Sequence, residues 1–325
     1  MKKYIFTFGL LIVFSISCIK EELPIPPHIP GDLQLGQVEM GNNYHNQVFY
    51  SLANNSISSQ NEETNWDLAF GCDMQLNFIF LNSSVVSSAF NTGTSSFESI
   101  TSLSGNENWK YDAPNGNLDS LALVNFDSGF VYIINRGQSV SQGGIQLGYK
   151  KIKVEVLGNN QYQIRHAELD GTLDTTLVIE KDSTKNLIAF SFNTNKAVNI
   201  FPNKTNYDLI FTAYTHVFWG FDPPLPYRVS GVLINQNETS VFVDTLHDFD
   251  AIDHNTFLQS NFTNDLDEIG YDWKIYNFSS STYEIKNNVN YIIKSQTNQY
   301  YKLRFLDFYN TQGEKGYPIF EYQKL

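Results

Sequence analysis

The chain has 325 residues, with 34 acidic against 21 basic side chains and a formal net charge of −13. That balance argues against nucleic acid and against electrostatic attachment to anionic lipid. Its two cysteines, Cys18 and Cys72, show neither CxxC nor CxxCH spacing, which excludes a thiolate metal centre and a covalent c-type haem.

The chain opens on Met1-Lys2-Lys3, followed by an almost wholly apolar run from Tyr4 to Ile16. Thirteen residues are too few to span a bilayer as a helix, so residues 1–17 read as a signal peptide. The run ends in Ser15-Ile16-Ser17-Cys18, a small residue before a cysteine, as in bacterial lipoproteins, and Cys18 is the expected lipidation site. Loss of Lys2 and Lys3 on cleavage moves the formal charge from −13 to −15. Lys20-Glu21-Glu22 resembles the acidic export signal that sends lipoproteins of Bacteroidetes to the outer face of the outer membrane. Four prolines between Pro24 and Pro30 favour extended polyproline geometry, so residues 18–35 form a stiff tether, with His28 exposed on it.

Beyond the tether nearly every periodic stretch has period two. Asn65-Trp66-Asp67-Leu68-Ala69-Phe70 returns as Asn206-Tyr207-Asp208-Leu209-Ile210-Phe211. Each copy follows a Ser/Thr/Asn-rich run, and each precedes a segment ending at Asn82 or Asn235. The pattern suits the start of a buried strand, with the Asp positioned to accept hydrogen bonds from a neighbouring turn. The recurrence divides the mature chain into two related halves, 36–195 and 196–325. Val131–Ile134 reads as a short apolar strand entering a glycine-rich loop over 137–148. Lys151–Val156 and Gln161–His166 alternate around a Gly158-Asn159-Asn160 turn and form a hairpin. Further strands fall at 175–179, 187–192, 227–234, 241–245, 291–294 and 300–308. Phe249–Phe262, with Asp253 as a cap, is the best helix. Polar stretches at 54–64, 91–106 and 112–119 read as loops. Aromatics at 15% and charged residues at 17% agree with a mainly β protein, a sandwich or twisted sheets with long loops.

The last stretch, Tyr300-Tyr301-Lys302-Leu303-Arg304-Phe305-Leu306-Asp307-Phe308-Tyr309-Asn310 and then Gly313–Tyr322, resembles the C-terminal strand pair of the HmuY family. Trp66-Asp67-Leu68-Ala69-Phe70 and Asn290-Tyr291-Ile292-Ile293-Lys294 resemble further parts of it. The resemblance implies a mainly β surface lipoprotein that binds haem and passes it to a TonB-dependent outer-membrane transporter. The chain is longer than the founding members, and the family's axial ligands vary, so no ligand transfers by motif.

Non-covalent haem would need an axial His, Met, Tyr or Cys beside an aromatic slot. In Thr212–Trp219, Tyr214, His216 and Phe218 share a strand face, and the stiff Phe221–Tyr227 loop follows. His216 is therefore the preferred iron ligand, with Tyr214, Phe218 and Trp219 as its aromatic surroundings. Met74 holds the corresponding place after the first copy of the repeat. His166, facing inward with Tyr162 and Ile164, reads either as a hydrogen-bonded core residue or as a ligand. His45, His247 and His254 look like surface or turn residues, the last two offering at best a weak divalent site beside Asp248 and Asp253. Cys72 is most simply a small buried side chain. No GxSxG, HExxH, P-loop or dinucleotide fingerprint occurs, and Asp265, Asp267 and Glu268 read as a solvated loop, so no catalytic constellation is expected. The rival reading is a β-rich surface module that binds glycan or protein through platforms such as Trp109, Trp219 or Trp273.

Overall fold

A computed structural model describes residues 30–258 and 260–325. The signal peptide, Cys18, His28 and most of the tether lie outside the described residues. Strands come first as β1 (Leu33–Gln37), β2 (Asn46–Ser51), β3 (Ser56–Glu62), β4 (Leu68–Gly71), β5 (Ile79–Leu81), β6 (Ser88–Asn91) and β7 (Tyr132–Asn135). A small ribbon, β8 (Gln138–Ser139) with β9 (Ile145–Gln146), precedes the long hairpin β10 (Tyr149–Leu157)–β11 (Gln161–Ala167). Then come β12 (Thr175–Glu180), β13 (Leu187–Ser191), β14 (Lys196–Val198), β15 (Leu209–Phe218), β16 (Leu225–Ile234) and β17 (Ser240–Asp244). A second ribbon, β18 (Lys274–Asn277) with β19 (Thr282–Ile285), leads to β20 (Asn290–Lys294), β21 (Tyr300–Tyr309) and β22 (Lys315–Lys324). The architecture is mainly β, as its alternating sequence requires.

The correspondence between the two parts extends beyond the six-residue motif to the strand order. One four-stranded sheet runs β14-β13-β4-β5 and the other β3-β2-β15-β16. One five-stranded sheet runs β12-β11-β10-β7-β6 and the other β1-β22-β21-β20-β17. Pairing β4 with β15 and reading on through the chain puts every strand of one set onto its counterpart, provided β1, β2 and β3 follow β22. In this correspondence the first three strands of the chain complete the second set of sheets. Residues 33–62 join sheets with strands after residue 206, so the grouping differs from a split into 36–195 and 196–325. The repeated motif alone marks where each unit starts, not where the chain closes.

Equivalent hydrogen bonds pin both copies. The Asp67 amide donates to Phe190 O, and the Asp67 carboxylate accepts from the Phe192 amide. Likewise the Asp208 amide donates to Tyr50 O, and its carboxylate accepts from the Leu52 amide. Asn82 Nδ2 donates to the Glu63 and Trp66 carbonyls, and Asn235 Nδ2 to those of Lys204 and Tyr207. Each asparagine is fully buried, and the bonds satisfy carbonyls left free where the chain enters its strand. Between the two four-stranded sheets Phe49, Trp66, Phe201 and Tyr207 pack edge to face, with centroids 5.2–5.7 Å apart. Each unit also encloses a core of its own, one around Tyr162 and Phe190, the other around Trp273 and Phe320.

Two expectations need correction. Residues 56–62 form β3, not a loop; as an edge strand exposed along most of its length it has no need of apolar residues. Over 249–262 there is no α-helix among the described residues, only 3-10 turns at Phe249–Ala251 and His254–Phe257. Asp253 does cap the second turn. However, Lys302 Nζ takes the Phe249 and Ile252 carbonyls at 2.8 and 3.0 Å, and these are groups a helix would have used.

Candidate functional site

Alternate residues of a strand share a face, so Tyr214, His216 and Phe218 line one side of β15 as expected. The register sets His216 opposite Tyr227 and Phe218 opposite Leu225. Exposure grows outward: Tyr214 is buried, His216 half-buried, and Phe218, Trp219, Phe221 and Tyr227 exposed at the hairpin tip. The His216 ring meets Phe218 at 4.8 Å and Tyr271 at 5.3 Å, both edgewise. Its Nδ1 is buried and has no hydrogen-bond partner among the described residues. Burial and the Asp265 charge raise the Asp267 carboxyl pKa, and the nearby imidazole opposes them. The other face of the hairpin is fixed by Arg228, which donates to Glu63 Oε2 at 2.7 Å, Ser84 O at 2.6 Å and Tyr44 O at 2.8 Å.

The remaining predicted residues are not brought to this tip. Met74 is exposed in the turn between β4 and β5. Its neighbours Asp73 and Leu76 share a cleft with Gln236 and Asn237, at the base of the β15–β16 hairpin. His216 stands seven residues along β15 from Leu209, roughly 23 Å from that base. His166 is 3% exposed, packed between Phe190 and Phe192, with Nε2 2.7 Å from Asn195 Oδ1. Burial lowers its pKa, so it is a neutral core imidazole. Cys72 is buried, and burial pushes its thiol pKa up. Of the three tryptophan platforms, only Trp219 is an exposed one: Trp273 is 1% exposed, and Trp109 is wedged between Phe90 and Tyr149. His254 lies against Phe257 and Tyr300 beside its capping aspartate. No group of three or more His, Cys, Asp or Glu with metal-ligand geometry occurs among the described residues, the surroundings of Asp248 and Asp253 included.

His247, which from sequence reads as a turn residue, has the more developed surroundings. Asp244 ends β17, and its Oδ1 accepts the Leu246 and His247 amides at 2.8 and 2.9 Å. Its Oδ2 lies 2.7 Å from His247 Nδ1, while Asn290, its partner in β20, donates to the His247 carbonyl. Asp244 is buried, yet these bonds hold its carboxyl below the usual carboxylate range. A carboxylate on Nδ1 fixes the tautomer and leaves Nε2 as the acceptor, the arrangement found around metal-ligating histidines. The ring borders an open cleft of about 900 Å³ that Leu246, Phe249 and Arg304 also line. Arg304 lies 4.5 Å over the Phe249 ring and pairs with Glu321. The sequence signal is the Asp244-x-x-His247 spacing at the end of an alternating stretch.

No curated protein matches the chain. Among solved structures, apo PinO from Porphyromonas gingivitis superposes with a TM-score of 0.31 at 10% identity, covering 90% of this chain and 98% of that one. An HmuY-like protein from Bacteroides vulgatus gives 0.23 at 10% identity, covering 89% and 90%. The apo HmuY analog of Tannerella forsythia gives 0.26 at 9% identity, covering 90% and 95%. The family model described as HmuY protein matches residues 43–322, and the chain therefore belongs to the HmuY family.

Proposed function

We propose that this is a non-enzymatic surface lipoprotein that binds haem or a related tetrapyrrole non-covalently, with His247 as an axial ligand. Cys18 carries the lipid that holds it on the outer membrane, and the bound ring is handed to a TonB-dependent transporter. Membership of the HmuY family supports the ligand class. The observation that carries the assignment to a residue is the carboxylate-fixed imidazole beside an open cleft. A tetrapyrrole asks for a free imidazole nitrogen, apolar cover and a cation for its carboxylates. His247 Nε2, the exposed Leu246 and Arg304 are of those kinds, while Phe249 is buried and the rest of the lining is polar. Haem would supply the iron chemistry; the protein supplies orientation through Asp244 and cover through the cleft.

The aromatic hairpin favours a second reading, in which the ring lies on Phe218, Trp219 and Tyr227 and is ligated by His216. Titrating the mature protein with hemin tests both. A saturable Soret shift is expected at micromolar protein, weakened tenfold or more in His247→Ala and little changed in His216→Ala. The reverse order moves the ligand to the hairpin, and the absence of any hemin-dependent band ends the haem reading.

A further inference from the structure

A second cavity, of about 100 Å³, lies where the two four-stranded sheets face each other. Phe49, Trp66, Phe80, Tyr207, Ile210 and Leu233 supply much of its wall. Two of the polar side chains in that wall, Gln47 and Asp112, are already engaged. Gln47 Oε1 accepts from Asn61 Nδ2 and Trp66 Nε1, and its Nε2 donates to Ser84 and Thr212. Asp112 accepts the Leu81 amide on one carboxyl oxygen and the Ala122 amide on the other. With those groups engaged and most of the remaining wall apolar, the cavity has little to hold water and favours an apolar occupant.

The cavity meets a larger open cleft of about 610 Å³, the two sharing Gly116, Gln236 and Leu266. Gly116 has φ +77°, and a Cβ there would lie 2.5 Å from the Leu266 side chain, so only glycine leaves room for Leu266 where the two spaces meet. The cleft is rich in primary amides. Gln236 and Asn264 line it along with Asn115 and Asn117, which use only their oxygens, on the Asn117 and Asp119 amides. Lys185 and Lys204 are set against Asp73, Glu238 and Asp265, so neither an anionic nor a cationic head gains much from net charge. Each amide offers both a donor and an acceptor, which matches a hydroxyl group.

We infer that this paired cavity and cleft binds a neutral amphiphile, a short apolar group carried on a hydroxylated head such as a sugar, separately from the His247 site. The volume is below the roughly 150 Å³ that accommodates benzene in an engineered cavity. A branched or linear alkyl group of about three to five carbons is therefore the expected tail.

Calorimetric titration of the mature protein with n-butyl β-D-glucoside tests this, with glucose, butanoate and butylammonium as controls. Saturable binding of the glucoside is expected, at least tenfold tighter than any control. Leu233→Phe, which fills the cavity, should abolish it, and Gln236→Ala at the mouth should weaken it severalfold. Both variants should keep the hemin response of the parent, which separates this site from the proposed haem seat. No saturable heat up to 10 mM glucoside, equal binding of butanoate, or undiminished binding in a folded Leu233→Phe together with Gln236→Ala would overturn it.

Discussion

Asp67→Ala is expected to destabilise the protein by about 3–5 kcal/mol, the usual effect of breaking a buried ion pair by removing one partner. Its carboxylate receives Arg136 Nε at 2.8 Å, Arg136 Nη2 at 3.3 Å and the Phe192 amide at 2.7 Å. The two side chains are only 9% and 4% exposed, so the variant leaves a guanidinium with no counter-charge in a poorly hydrated place. Asn193 and the Leu147 carbonyl would still accept from Arg136, but they carry no full charge. The corresponding position behaves differently. Asp208 accepts the Leu52 amide with no cationic side chain in salt-bridge contact among the described residues, and burial pushes its pKa up to about 6. Asp208→Asn keeps an oxygen for that amide and removes a buried charge, so a change within about 1 kcal/mol is expected. Urea unfolding at pH 7 decides the matter, with Asp208→Ala as the matched variant: a loss there equal to that of Asp67→Ala would show that Arg136 contributes nothing beyond the shared backbone bonds.

That difference also shows how far the sequence can be read. The repeated Asn-aromatic-Asp-Leu pattern locates both copies of the buried turn, because the same local hydrogen bonds demand the same residues in each. The Arg136 partnership is invisible there, since it links residues 69 positions apart that only the fold brings together. The completion of the second set of sheets by the first strands is hidden for a similar reason: β1 pairs with β22 across nearly the whole chain, and no local pattern encodes that distance. Strands announce themselves wherever one face is buried, as in β10, β11 and β21, while the polar edge strand β3 does not. Among the imidazoles, His216 stands out through its aromatic neighbours along one strand. His247 does not, because flanking aspartates look like solvent-facing charge until Asp244 is seen buried and turned onto the ring.

Stability should pass through a minimum near neutral pH, the opposite of the usual broad maximum between about pH 5 and 8. Asp112 is wholly enclosed, and burial lifts its pKa to about 7 against hydrogen bonds from the Ala122 and Leu81 amides that pull it down. As the pH rises from the unfolded carboxyl value through 7, the unfolded state releases its proton first and the native state loses ground. Asp208, raised to about 6, acts in the same direction over a narrower range. Lys274 limits stability from the other side. Its ammonium donates to Ser230 O at 2.6 Å and sits 4.2 Å from the Trp273 ring and 4.7 Å from the Phe308 ring, with no carboxylate in salt-bridge contact among the described residues. Desolvation lowers its pKa to about 7, only partly opposed by Asp272. Below pH 7 both states are protonated and the full cost of a buried charge is present; that cost fades as the pH climbs from 7 towards the unfolded lysine value. The distance between the native and the unfolded amine pKa sets the native penalty in acid at roughly 5 kcal/mol. Lys274→Met should therefore gain roughly 5 kcal/mol at pH 5, only slightly less at pH 7, about 2 kcal/mol at pH 9, and almost nothing once the wild-type amine is neutral in both states. Unfolding curves for wild type and Lys274→Met at pH 5, 7 and 9 carry the test. A methionine variant equally destabilised at all three values would mean that the ammonium is held by its aromatic rings more strongly than burial opposes it.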